Sequence, residues 1–124
     1  MTRNILFVAI GGMLGSVLRY LLSTLMVGLL PYPFPFGTFV VNLIGCFVMG
    51  ATVSYAERSL WFHQEWRIFI TVGLCGGFTT FSSFTYEGVQ MMMDSRWLAF
   101  IIYTTLSVLL GLLATFLGFK MTSA

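Results

Sequence analysis

Residues 76–87 read GGFTTFSSFTYE, and they lie in a part of the chain that is otherwise largely apolar. Two adjacent glycines open the stretch, and hydroxyl side chains are then interspersed with phenylalanines. A helix in a lipid bilayer must satisfy its own backbone polar groups, because lipid offers them no hydrogen-bond partners. So many polar groups inside an apolar segment require an explanation, and the rest of the chain limits what it can be.

The composition is that of a membrane protein. Of 124 residues, 58% are hydrophobic and 8% are charged, whereas soluble domains average roughly 25% charged residues. The chain has room for four spans of about 20 residues, so no separate soluble domain is expected. The first apolar run is too long for a signal peptide and lacks a small-residue cleavage site. The net charge of +2, carried by scattered basic residues, does not indicate a nucleic-acid partner.

The hydropathy pattern predicts an all-α membrane protein with a single four-helix transmembrane domain, residues 1–124. The predicted spans cover residues 5–30, 38–56, 68–93 and 98–119. The segment PYPFPFG (31–37) ends the first span, because proline cannot continue a helix. Gly73, Gly76 and Gly77 interrupt the third span, so we expect this helix to be broken near its centre.

Small residues spaced four apart predict where the helices pack closely. Gly11 and Gly15 form such a pair in the first span, and Cys46 and Gly50 form one in the second. Lipid provides no hydrophobic force between helices, so small residues that permit close approach mark the contact faces. Four helices alone enclose little interior, which favours an oligomer. Cys46 and Cys75 lack metal-ligand spacing, so we expect buried free thiols.

The loop charges predict an orientation in the membrane. With four spans, Arg3, Arg58, Arg67 and Lys120 share one side and Arg96 lies on the other. An excess of basic residues marks the cytoplasmic side. The count of four against one therefore favours cytoplasmic termini.

Beyond the predicted break, the third helix has two unlike faces. At about 100° per residue, Phe81 and Phe84 lie about 60° apart, with Thr85 beside them. The opposite face carries hydroxyl groups, those of Thr79, Ser82, Ser83 and Tyr86. Core packing is the ordinary explanation for two phenylalanines at this spacing, but the positive ring edges can also face an anion without trapping it. Carbonyl groups freed by the break could hold a cation. If the helix restarts near Thr79, its N-terminal N–H groups direct positive potential toward the membrane centre.

Polar residues in the other spans allow a structural and a functional interpretation. Asn42 either forms an interhelical hydrogen bond or lines a pore as a donor. Arg19 either caps carbonyls or reaches the interface, or else it attracts anions or ties the broken helix. Tyr103 and Ser107, four residues apart, share one face of the fourth span. Glu87 is the only acid within a predicted span.

The sequence predicts no enzymatic activity. Its one histidine, His63, lies in an interfacial loop, and no catalytic triad, carboxylate pair or metal-ligand cluster occurs at membrane depth. Three of the four spans contain no carboxylate, which disfavours proton-coupled exchange. Passive passage of an anion is the better interpretation.

The motifs GGMLGSVLRY (11–20), NLIG (42–45) and GGFTTFSSF (76–84) resemble those of the Fluc (CrcB) family of fluoride channels. The resemblance covers essentially the whole chain. It implies a passive, fluoride-selective channel that exports fluoride and so relieves its toxicity. It also implies two pores in an antiparallel, dual-topology homodimer, inserted as a multi-pass protein in the cell inner membrane. Dual topology implies nearly balanced loop charges, unlike the count above.

The resemblance also implies roles for individual residues. Those matching pore or fluoride-binding positions are Phe81, Phe84, Asn42, Ser83, Thr85, Tyr103, Ser107 and Thr115. Arg19 and Glu87 match structural or vestibule positions. The backbone carbonyls of Gly76 and Thr79 match those that bind a structural sodium ion at the dimer interface. Gly111 stands where some relatives have serine, one turn before Thr115.

Two other classes of protein are alternatives to the channel. A small four-helix multidrug or cation exporter resembles this chain in size, but such proteins carry a glutamate in the first span, where this chain has Arg19. A structural subunit of a larger membrane complex would gain little from the many hydroxyl groups at the centre of the third span.

Overall fold

The computed structural model describes residues 1–30 and 33–123, and its elements are helical. In chain order they are α1 (Thr2–Leu29), α2 (Phe36–Arg58), α3 (Gln64–Ile68), a π-helical segment (Phe69–Cys75), α4 (Gly76–Phe78), α5 (Phe81–Met93) and α6 (Trp97–Met121). Elements α3 to α5 form one discontinuous span, so four helical spans are long and apolar enough to cross a membrane. The predicted all-α fold with four spans is confirmed.

The first connection begins where the prolines predicted it. Helix α1 ends at Leu29, and α2 begins at Phe36 with Pro35 at its N-cap. Proline suits this position because its missing N–H would be unpaired in the first turn of a helix anyway. Pro31 and Tyr32 of the predicted loop lie outside the described residues.

Close contacts between helices occur at small residues, as the four-residue spacing predicted. A Cβ atom added to Gly11 would lie 2.6 Å from the carbonyl oxygen of Phe69, so α1 meets the third span backbone to backbone. Gly50 of α2 lies against the carbonyl of Thr115 in α6. In lipid, such close approach provides the packing that holds helices together.

The third span contains a feature that the sequence did not predict. Residues Phe69–Cys75 form a π-helix, and the short helix α4 separates it from the break. Gly73 in this segment is buried, and a Cβ atom added to it would lie 3.0 Å from the Cα of Gly11. Short π-helical segments are rare and often occur at functional sites. The predicted break near the centre of the span is confirmed, but it lies at Thr79 and Thr80 rather than at the glycines. Gly73 belongs to the π-helix, and Gly76 and Gly77 are α-helical.

Polar contacts lie at both ends of the bundle, where the sequence predicted the loops. The Nε of Arg3 lies 3.9 Å from a carboxylate oxygen of Glu65, which places the start of α1 beside α3. At the opposite end, Arg96 donates a hydrogen bond to the carbonyl of Pro33. Cys46 and Cys75 are both free, as predicted, but only Cys75 is buried and Cys46 is half-buried.

Candidate functional site at the helix break

The third span is interrupted at Thr79 and Thr80. Both residues have extended backbone, with φ/ψ of −83°/159° and −149°/118°. The N–H and the hydroxyl of Thr79 both donate to the carbonyl of Cys75, at 2.9 and 2.8 Å, and so close the first half of the helix. The hydroxyl of Thr80 accepts from the Ser83 N–H at 3.1 Å and caps α5. Threonine is a favoured N-cap, because its oxygen satisfies a donor of the first turn.

Two side chains from other helices satisfy backbone groups at the break. Asn42 accepts from the Thr80 N–H at 2.8 Å and donates through Nδ2 to the Thr80 carbonyl at 3.1 Å. Arg19 donates through Nε to the Gly77 carbonyl at 3.0 Å. The structure therefore shows Asn42 as an interhelical hydrogen-bond partner and Arg19 as a tie to the broken helix.

A groove of about 330 Å³ lies against the break, and we call it the phenylalanine groove. Its lining includes Asn42, Thr79, Thr80, Phe81, Phe84, Ser107 and Thr115. The ring centroids of Phe81 and Phe84 lie 5.8 Å apart, and Phe84 lies 5.1 Å from the ring of Tyr103. Every residue that lines this groove is uncharged. The structure thus brings five of the eight predicted pore residues into one groove, with Tyr103 against its Phe84 ring.

Ser83 and Thr85 lie away from the phenylalanine groove of their own chain. Ser83 lines a second groove, which we call the arginine groove, together with Ser16, Arg19, Tyr20, Ser23, Thr38, Tyr86, Glu87 and Gln90. Thr85 is exposed and donates to the Ser82 carbonyl at 2.9 Å. The helical wheel is thus correct for Ser83 and Tyr86, which lie in a different groove from the rings. It is wrong for Thr79, which lines the phenylalanine groove, and for Thr85, which does not. A single chain does not place the Ser83 hydroxyl beside the rings.

Glu87 joins three helices. Thr38 of α2 donates to its Oε2 at 3.0 Å, and Tyr103 of α6 donates to its Oε1 at 3.0 Å. The Tyr103 side chain is fully buried. A carboxylate at this depth requires such partners, because lipid would leave it unsolvated.

Sequence reasoning missed two residues of the site, Thr38 and Thr80. Thr38 lies four residues before Asn42, so its position on the same face of α2 could have been read from the spacing. Thr80 lies three residues before Ser83, the spacing at which a threonine caps a helix. In both cases the local pattern was present in the sequence. The partner of Thr38 is on another helix, however, and the capping role of Thr80 depends on where the break falls.

The backbone at the break could contribute to a cation site. In an uninterrupted helix, the Thr80 N–H would donate to the carbonyl of Gly76, but here it donates to Asn42. Gly76 is exposed on the surface of the chain. Within the described residues, no group of three or more His, Cys, Asp or Glu side chains could hold a metal ion.

Several side chains around the break are left uncovered by the rest of the chain. The Phe81 and Tyr86 side chains are 76% and 64% exposed, and Ser82 between them is exposed as well. Irregular backbone at membrane depth is tolerated only against protein or water. A second protein surface or a water-filled passage would meet this requirement around the break.

These features define a class of protein: a small bundle of four membrane spans with a broken helix and an uncharged polar groove at the break. The family model described as "CrcB-like protein, Camphor Resistance (CrcB)" matches residues 6–119. The chain belongs to the CrcB family.

Several curated relatives are similar along nearly their whole length. The fluoride-specific ion channel FluC of Azobacteroides pseudotrichonymphae genomovar. CFP2 is 40% identical over 122 residues, which are 98% of each chain. The protein of the same name from Flavobacterium psychrophilum is 40% identical over 116 residues, 94% of each chain. That from Gloeothece citriformis is 42% identical over 115 residues, 93% of each chain.

The bond from Arg19 to the break leads to a stability prediction. Arg19→Met should lower the free energy of unfolding by about 1–3 kcal/mol, because the Gly77 carbonyl loses a charged donor inside the bundle. Arg3→Met is the matched control on the same helix. The Arg3 side chain is 76% exposed, and its Nε pairs only loosely with Glu65 Oε1, at 3.9 Å. The expected effect of Arg3→Met is below about 1 kcal/mol. Equal losses in unfolding titrations of the two variants would contradict the prediction.

Proposed function

We propose that this protein is a passive, fluoride-selective ion channel and has no enzymatic activity. The observation that carries the proposal is the phenylalanine groove, which combines aromatic rings, hydroxyl groups and an amide without any charged side chain. Fluoride is small and strongly hydrated, so a passage must replace its water with closely spaced donors. Neutral donors and ring edges attract an anion without binding it as firmly as a fixed cation would. The names of the relatives, fluoride-specific ion channels, agree with this assignment.

The predicted pore residues would act in sequence along this groove. Phe81 and Phe84 would present ring edges, Asn42 and Ser107 would offer donors from the facing helices, and Thr115 would line the groove beside them. The hydroxyl of Thr115 donates to the Gly111 carbonyl at 3.1 Å, and this bond uses its proton. The part of α6 around Gly111 and Thr115 therefore offers the groove fewer donors than the part around Ser107.

Tyr103, Ser83 and Thr85 complete the proposed set. The Tyr103 hydroxyl donates to Glu87, so Tyr103 would contribute its ring to the groove rather than its proton. Ser83 lines the arginine groove, beside Arg19 and Glu87, where an ion would enter or leave. Ser83 and Thr85 would reach the pore only through the assembly of two chains.

The assembly that we propose is an antiparallel homodimer of dual topology with two pores. The exposed Phe81, Ser82 and Tyr86 side chains at membrane depth support it, because a second copy would cover them. The four-to-one loop charge does not favour dual insertion. Crosslinking of single-cysteine variants from both membrane sides would decide the topology.

A structural sodium ion at the centre of this dimer is also proposed. The Gly76 carbonyl has lost its helical donor, and the Thr79 carbonyl belongs to extended backbone. Two chains would together supply four carbonyl oxygens, which are the hard ligands that such a cation prefers. When bound, the ion would offset the partial negative charge of these carbonyl oxygens at the interface.

The setting proposed is the cell inner membrane, where export of fluoride would relieve its toxicity. Four membrane spans support a multi-pass protein. The alternative of a small multidrug or cation exporter is not favoured, since the first span carries Arg19 and no acid, and the family is that of CrcB.

The decisive experiment uses the purified protein in liposomes loaded with potassium fluoride or potassium chloride. Valinomycin carries the counter-ion, and ion-selective electrodes record anion release. Rapid loss of fluoride with retention of chloride is the expected result. No fluoride release, or equal release of both anions, would refute the channel.

A further inference from the structure

Asn42 makes two hydrogen bonds to a single residue of the break. Its Oδ1 accepts from the Thr80 N–H at 2.8 Å, and its Nδ2 donates to the Thr80 carbonyl at 3.1 Å. Thr80 is extended, and an extended residue directs its N–H and C=O to the same side, as in a hydrogen-bonded pair of antiparallel strands. A carboxamide holds an acceptor and a donor side by side, so it matches both groups at once.

This pairing competes with a continuous helix. An uninterrupted third span would require the Thr80 N–H for the Gly76 carbonyl. Asn42 takes that donor and also gives the Thr80 carbonyl a partner that lipid could not supply. Pairing with Asn42 and continuation of the helix therefore exclude each other at this peptide.

The helix that carries Asn42 is held firmly against the break. Val41 next to it is fully buried. A Cβ atom on Gly45, one turn further on, would collide with the methyl group of Thr79. Helix α2 thus offers the carboxamide from a fixed position.

The bonds of Thr80 also determine where α5 begins. With its peptide held by Asn42, Thr80 directs its hydroxyl to the Ser83 N–H at 3.1 Å and caps the helix that starts at Phe81. The start of this helix fixes the positions of Phe81 and Phe84. A shift at Thr80 would therefore move both rings in the groove.

We propose that Asn42 is a positioning residue, which holds the helix break open through the Thr80 backbone and so places the Phe81 and Phe84 rings. That the ring positions matter for conduction rests on the proposed function, whereas the pairing of Asn42 with Thr80 does not. An amide nitrogen carries two protons, and only one is used on the Thr80 carbonyl. Contact with a passing anion through the second proton is compatible with positioning but is not needed for it.

The test measures hydrogen exchange of the Thr80 amide by NMR in the full-length protein labelled with [¹⁵N]threonine. Asn42→Leu has similar size but neither an acceptor nor a donor, and it should speed exchange at Thr80 by about tenfold or more. The Thr115 amide, in the uninterrupted part of α6, is the internal reference and should not change. Asn42→Asp keeps an acceptor for the Thr80 N–H, so exchange there should stay within about twofold of the unmutated protein.

A second control separates positioning from contact with the ion. Ser107 lines the same groove but makes no bond to the break among the described residues. Ser107→Ala should lower fluoride release and leave Thr80 exchange unchanged, whereas Asn42→Leu should alter both. If Asn42→Leu does not assemble, Asn42→Ser serves instead, because its side chain is too short to bridge both Thr80 groups.

Unchanged Thr80 exchange in Asn42→Leu, or in Asn42→Ser where that variant is used, would overturn the proposal and leave Asn42 as an ion contact alone. The exchange measurement needs no fluoride and no flux. A protein that releases no fluoride but shows faster Thr80 exchange would refute the channel and retain the positioning role. The two failures are therefore distinguishable.

Discussion

Phe81→Ile should lower fluoride release from liposomes by about tenfold or more, which corresponds to a loss of about 1.4 kcal/mol at the rate-limiting point of passage. The phenyl ring lines the phenylalanine groove and is 76% exposed on the single chain. Isoleucine is apolar and of similar bulk, but it has no aromatic quadrupole to present a positive edge. Because the ring makes little contact within its own chain, the change should not unfold the bundle.

The matched control is Phe116→Ile on α6. Phe116 is 55% exposed and lies outside the residues that line the phenylalanine groove. Fluoride release should therefore remain close to that of the unmutated protein. Size-exclusion chromatography should give the same assembly for all three proteins. If Phe81→Ile dissociates the assembly, or conducts normally, the rings belong to packing and not to the pore.

Gly15→Ala should destabilise the protein although it adds only one methyl group. A Cβ atom here would overlap the carbonyl oxygen of Leu74 and would lie 2.9 Å from the backbone nitrogen of Phe78. These are backbone atoms of the third span, which cannot turn aside as a side chain can. Overpacking of this kind costs about 1–3 kcal/mol. Separation of α1 from the break would also remove Arg19 from the Gly77 carbonyl.

Gly28→Ala on the same helix is the matched control. Nothing lies within 4 Å of a Cβ atom added there. Alanine is the better helix former by about 1 kcal/mol, so this variant should be as stable as the unmutated protein or slightly more so. Thermal unfolding in detergent compares the two variants directly. A loss of stability at Gly28 equal to that at Gly15 would contradict the role given to the close contact.

Much of the candidate site could be predicted along single helices. Phe81 and Phe84 share a face by spacing alone, and they do line one groove. Ser83 shows the limit of that reasoning: the wheel put it opposite the rings, and the structure places it in the arginine groove. The role that the resemblance implies for Ser83 would require a second chain, which the spacing within one helix cannot describe.

The sequence by itself determined the four spans, the interruption of the third and the glycines at which the helices meet. These follow from hydropathy, proline and residue size, which act within one segment. The tertiary structure decided which partner satisfies each polar group left without a bond. Asn42 could have bonded to any neighbouring helix, and Arg19 could have reached the interface. Asn42 binds Thr80 and Arg19 binds Gly77, because helix packing brings those backbone groups, freed by the break, within reach.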